Sequence, residues 1–243
     1  ARITSSRRWM HRGGHAPDVP DRVATRSDAR PSHTQPDAGE HPVHLTQART
    51  LVKKLMEERG PWRTLKEEER YSTPWISVSH HDVIDPSGTP GIYGVIHFKN
   101  LAVGIIPLDA EMNTWIVGQY RYPIKAYSWE IPEGGGERDL PPLVSAQREL
   151  REEAGIIAGI WTEILQMDLS NSASDEVAIL YLAQDLEFHE PEPDHNEELV
   201  LSKLPFSELL GMVLRGEARD SLTVAAVLKV EYLRVNGLLP GQK

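Results

Sequence analysis

Apolar positions along the chain fall into blocks of two different periods, and the blocks begin only near Leu45. Residues 1–45 show no apolar period and are rich in Arg, Asp, Pro, Ser and His. Such a segment cannot bury enough surface to offset its ordering entropy, so a disordered tail is expected. Its histidines, His11, His15, His33, His41 and His44, are irregularly spaced, which favours a flexible polar tail over a metal site. Leu51, Val52, Leu55 and Met56 then repeat at helical spacing and stop at Gly60-Pro61, a helix end followed by a breaker. Strand-like runs bounded by turn residues follow at 75–84, 91–98, 101–108 and 113–120, the last two reading as a hairpin. A glycine-rich loop at 133–139 leads into a helix at 141–154, with Pro141 and Pro142 in its first turn and Gly155 just past its end. Further strands are expected at 161–168, 176–184 and 197–203, and helices at 205–215 and 221–235. Strands and helices mix without regular βαβ alternation, so the pattern predicts an α+β fold with a mixed-sheet sandwich.

The length of 243 residues suits one medium-sized domain with an extension, divided as a tail (1–45), an N-terminal helix and strands (46–110) and a main domain (111–243). The absence of cysteine excludes disulfides, thiolate catalysis and cysteine-ligated metal centres, and fits a reducing compartment. The longest apolar stretch, 101–108, is far short of the ~20 residues that a membrane span needs. No apolar run follows the N-terminal arginines, so no secretory signal is expected and a cytoplasmic location is. The formal net charge is −10; seven arginines against five acids in 1–45 leave −12 on the remainder. So acidic a surface argues against binding a nucleic-acid backbone.

The candidate chemistry sits in Arg148-Glu149-Leu150-Arg151-Glu152-Glu153-Ala154-Gly155-Ile156. Glu149, Glu152 and Glu153 stand at i, i+3 and i+4, so three carboxylates share one helix face. Like charges at these spacings cost about 0.2–0.5 kcal/mol per pair, and they crowd the helix end where the macrodipole disfavours anions. A divalent cation among them, Mg²⁺ or Mn²⁺, resolves the conflict. A solvated charged face relieved by Arg148 is the alternative. Immediately upstream, Glu130-Ile131-Pro132-Glu133-Gly134-Gly135-Gly136 brings glycines that let backbone approach a ligand.

Together these segments resemble the Nudix hydrolases, whose box reads Gly, five residues, Glu, seven residues, then Arg-Glu-apolar-x-Glu-Glu-x-Gly-apolar. Gly134 falls on the box glycine, and 148–156 matches at every fixed position. Leu140 departs, standing where the box has an isolated glutamate; Glu137, three residues earlier, is a substitute only if the loop rearranges. Gln119-Tyr120-Arg121, Trp129 to Gly134, Ser170 to Glu176 and Gly216 to Thr223 resemble segments of the ADP-ribose and nucleoside-diphosphate-sugar branch.

The resemblance implies a Nudix-type α/β/α sandwich and metal-dependent hydrolysis of a diphosphate linkage, giving a nucleoside monophosphate and a sugar phosphate. Glu149 and Glu153 would be the principal metal ligands, joined by the carbonyl of Glu133; the Glu133 side chain is expected to point outward. Glu152 would be a ligand or an outer catalytic group, and Glu176, in a flexible loop, the general base, with Asp175 next. Arg121, Gly134 and Gly135 would contact substrate, and Trp75 or Tyr93 would stack on the base. Relatives in this branch form homodimers with crossing N-terminal strands, which implies the same here with Trp75 at the junction. The alternatives are another nucleotide substrate, such as a dinucleotide polyphosphate or an oxidised nucleotide, or an inactive binding module of the same fold.

Overall fold

The computed structural model describes residues 57–192 and 198–241, all within one unit, Leu45–Lys243. The expected tail and the helical repeat at 51–56 lie outside the described residues. Beyond that repeat the helix expectation fails. Glu57–Arg59 is strand β1, paired antiparallel with β2, Trp62–Ser72. Gly60, at a φ of +61°, turns one strand into the next instead of ending a helix. β2 had no sequence signal, because 66–70 is a charged run without alternation. Its order comes from pairing with β3, Ile76–Ile84, which pairs in turn with β4, Pro90–Phe98.

A second sheet has the order β8-β5-β10-β9, built from β5 Asn100–Pro107, β8 Glu133–Glu137, β9 Ile156–Leu169 and β10 Glu176–Phe188. β5 and β10 run parallel and the other pairs antiparallel, so the sheet is mixed. A third sheet joins β11 Val200–Pro205, β6 Asn113–Arg121 and β7 Ala126–Glu130. The expected hairpin of 101–108 with 113–120 is therefore corrected. Its two strands enter different sheets, and a Leu108–Thr114 bridge joins their ends. The expected glycine loop is also a strand, because β5 lies alongside and pairs with the glycine backbone of β8.

β5 explains why its run is apolar throughout. Val103 and Ile105 pack with Ala146, Leu150 and Ala154 of helix α1, Pro142–Ala154. Ala102 and Ile106 face the opposite cluster, which includes Phe206 and Leu209 of α2, Phe206–Arg215, and Leu222, Ala226, Val227 and Val230 of α3, Ser221–Val235. Each buried Val, Ile, Leu or Phe among these contributes about 1.5–3 kcal/mol. The result is the mixed-sheet α+β arrangement that the sequence pattern predicts, with helices on both faces as the family resemblance implies. Among the described residues no helix is long and apolar enough to cross a membrane.

Two caps aim the functional elements. Gly155 ends α1 with a φ of +64°, its N–H bonded to the Leu150 and Arg151 carbonyls. A Cβ at Gly155 would lie 2.2 Å from the His189 carbonyl oxygen. Gly155→Ala should therefore cost about 2 kcal/mol or more, a fall of roughly 4–8 °C in Tm by calorimetry. At α3, the Asp220 carboxylate accepts the Thr223 N–H at 2.8 Å. Thr223 Oγ1 accepts the Ile131 N–H at 3.0 Å, fastening the helix start to the segment before β8.

Candidate active site

A cavity of about 790 Å³ opens between the acidic face of α1, strand β8, the start of β10 and the N-terminus of α3. Of the site residues expected from the sequence, Trp75, Arg121, Glu133, Gly134, Gly135, Glu149, Glu152, Glu153 and Glu176 line it. The lining includes six carboxyl groups (Glu133, Glu149, Glu152, Glu153, Glu176 and Asp220) but only two guanidinium groups, Arg121 and Arg148. This excess of acids in a half-enclosed space calls for a cation. Oxygen-only donors on one helix face are the set that hard divalent ions take, so the residues fit Mg²⁺ or Mn²⁺.

The α1 acids are held by neighbours. Glu153 is only 3 % exposed, and its Oε2 accepts the Glu133 N–H at 2.9 Å. Arg148 spans the other two, donating to Glu149 Oε1 and Glu152 Oε2, each at 2.7 Å, and to the Gly135 carbonyl at 2.9 Å. Burial works against the Arg148 charge, but Glu149 and Glu152 outweigh it and raise its pKa. The glycine at 134 is a steric requirement. A Cβ there would lie 2.2–2.5 Å from the Glu149 carboxyl group, so only a bare backbone lets that group lie against β8.

The Glu133 side chain does not point outward as expected. It is nine-tenths buried, with Oε1 accepting from Arg121 at 2.8 Å and Oε2 meeting no hydrogen-bond donor among the described residues. One of its carboxyl oxygens lies within 4.8 Å of one oxygen from each of Glu130 and Asp220. Burial first, and then the charges of Asp220 and Glu130, push its pKa well above the usual carboxylate range. Turning outward is prevented because Arg121 is fixed: its Nε and Nη2 also bond Glu130, the shortest contact being 2.6 Å. Burial opposes the Arg121 charge, but bonding to Glu130 prevails and raises its pKa. Arg121 thus reaches the cavity as part of an acid cluster.

Glu176 begins β10 at the cavity wall, and desolvation raises its pKa. The preceding loop, expected to be flexible, is tied to β4. The Ile96 N–H donates to the Ala173 carbonyl at 2.9 Å, the Tyr93 hydroxyl to the Ser172 carbonyl at 2.6 Å, and the Phe98 N–H to Asp175 Oδ1 at 2.9 Å. Asp175 is spent on those bonds and is absent from the lining, as are Tyr93, Leu140 and Glu137. Trp75 stands at the rim, 69 % exposed. Sequence reasoning gave no role to Asp220 or Glu130. An Asp-Ser-Leu-Thr helix start marks Asp220 as a cap, but only the fold brings it to Glu133.

Residues 98–225 match the family described as the NUDIX domain, and residues 62–96 match the nucleoside diphosphate sugar hydrolase N-terminal domain. An ADP-ribose pyrophosphatase of Mycobacterium tuberculosis is 39 % identical over 56 % of this chain and 66 % of that protein. A methanol dehydrogenase activator of Bacillus methanolicus is 31 % identical over 76 % of this chain and 97 % of that protein. A solved structure of an ADP compounds hydrolase superposes with a TM-score of 0.66 at 20 % identity, covering 75 % of this chain and all of that one.

Proposed function

The chain belongs to the Nudix family of pyrophosphohydrolases, and on that premise we propose that it hydrolyses the diphosphate linkage of ADP-ribose or a nucleoside diphosphate sugar with Mg²⁺ or Mn²⁺. The observation that carries this reading is the meeting of Glu149, Glu152, Glu153, Glu176, Arg121 and Trp75 in one acid-rich cavity. The match at 62–96 and the relative named for ADP-ribose favour this substrate class over dinucleotide polyphosphates or oxidised nucleotides. The intact Arg-Glu-x-x-Glu-Glu core favours an enzyme over an inactive binding module.

In this reading Glu149, Glu153 and the Glu133 carbonyl would hold the metal, with Glu152 beside them, and a bound ion would supply charge neutralisation of the diphosphate and a more acidic water. Arg148 keeps Glu149 and Glu152 in place, while Gly134 and Gly135 line the cavity, the bare backbone at 134 leaving room for the Glu149 carboxylate against β8. Glu176 takes the proton of the attacking water as the phosphorus–oxygen bond to the second phosphate breaks. The products are a nucleoside monophosphate and a sugar phosphate. Trp75 offers an exposed ring for the base. In a homodimer, with 46–110 as the pairing segment, it would sit at the junction; light scattering on the purified chain tests that, and a monomer removes it.

The decisive measurement is phosphatase-releasable phosphate, with Mg²⁺ or Mn²⁺, from ADP-ribose, GDP-mannose, ADP-glucose, UDP-glucose and a diadenosine polyphosphate. Turnover of the last alone overturns the substrate class. The raised pKa of Glu176 also sets a sign. Its basic form appears only at a pH above that of an ordinary glutamate, about 4.3. The acidic limb of kcat/KM should therefore lie above that value, and Glu176→Gln should abolish the limb along with most turnover.

A further inference from the structure

Outside the cavity, a second cluster occupies one face of the β2–β3–β4 sheet. The register sets Glu67 opposite His81. Ser79 Oγ lies 2.7 Å from His81 Nε2 and 2.9 Å from His97 Nε2, so the two imidazoles aim their nitrogens at one point. Glu67 Oε1 is 3.6 Å from His81 Nε2, and one ligand atom from each of Glu67, His81 and His97 lies within 4.8 Å of the other two. His81 is 3 % exposed, whereas Glu67 and His97 face more open space, which leaves a way in.

The far side of His97 gives an independent sign. Its Nδ1 lies 2.7 Å from Asp175 Oδ2. A carboxylate at Nδ1 fixes the proton there and leaves the Nε2 lone pair directed at the cluster. Metal-ligating histidines almost always have such a partner on their other nitrogen. Two imidazoles with one carboxylate are a softer set than the all-oxygen donors of the cavity, and suit a zinc-class ion.

We propose that Glu67, His81 and His97 form a second metal site, for a transition ion of the zinc class, with Asp175 as outer support of His97. The fourth position falls to Ser79 Oγ or water. Such an ion links three neighbouring strands. Through Asp175 it also steadies the loop that ends at Glu176, so the site would position catalytic machinery without touching substrate. It stands on its own residues, whatever substrate the cavity takes.

The test strips the full chain with a chelator and saturates it with Mg²⁺ to fill the oxygen-donor site. Zinc alone is then titrated by calorimetry, with bound metal counted by atomic absorption. One zinc per chain is expected, with a rise in Tm, and Glu153→Gln should retain it. His97→Asn and Glu67→Gln, both at the open side, should each abolish it, and Asp175→Asn should weaken it by about 10–100-fold. Cobalt in place of zinc should give visible absorption that His97→Asn removes. No zinc on the Mg²⁺-saturated chain, undiminished binding in His97→Asn or Glu67→Gln, or loss of zinc in Glu153→Gln overturns the proposal.

Discussion

Glu153→Gln should lower kcat/KM by about 100-fold or more in saturating Mg²⁺ while leaving the metal-free protein as stable as before. Losing one charged group at a preorganised electrostatic centre costs about 10²–10³ in rate. The stability side follows from the contacts. Glu153 Oε2 accepts the Glu133 N–H, and a glutamine oxygen accepts it equally. Removing the charge also relieves crowding with Glu149 and with the C-terminal end of α1, each worth a few tenths of a kcal/mol. In chelator, the Tm should therefore hold or rise slightly by scanning calorimetry. A fall of roughly 5 °C or more in chelator, corresponding to about 2 kcal/mol, would assign this acid a structural task.

Gly134→Ala should be nearly as damaging to turnover, for a steric reason. The added methyl would collide with the Glu149 carboxyl group, which is the movable end of a side chain. The fold therefore accommodates the change while the carboxylate shifts by about an ångström, and a misplacement of that size can cost about 100-fold. Gly91→Ala is the control, since a methyl added there would meet nothing within 4 Å. Both variants should melt close to the parent, because alanine also restricts the unfolded chain. Retained activity in Gly134→Ala, measured as kcat/KM with the preferred substrate, would mean that Glu149 does its work from another position.

The sequence disclosed most about α1 and its surroundings, because the signals there are local. Two prolines and a glycine mark the helix ends, and the spacing of Glu149, Glu152 and Glu153 needs only helical geometry to be read. Other features depend on register or on contacts across long separations. β2 is a charged run whose order comes from pairing with β3. β8 is glycine-rich and becomes a strand because β5 lies beside it. The inward turn of Glu133 depends on Arg121, Glu130 and Asp220, and Asp220 arrives only when Thr223 bonds Ile131. The meeting of Glu67, His81 and His97 needs the alignment of three strands, which no spacing along the chain reveals.

The parallel pairing of β5 with β10 also bears on how the molecule assembles. Ala102 partners Ala178, so this central ladder closes only after the chain between them has been looped out, carrying β6 to β9 and α1 with it. Closure of so long a loop opposes the pairing entropically, and chains dominated by such distant contacts fold slowly, on the order of milliseconds to seconds. The acidic residues on α1 and at the start of β10 repel one another when folding brings them to the one cavity. Divalent cations are then expected to speed the final step of refolding, leaving the initial collapse unaffected.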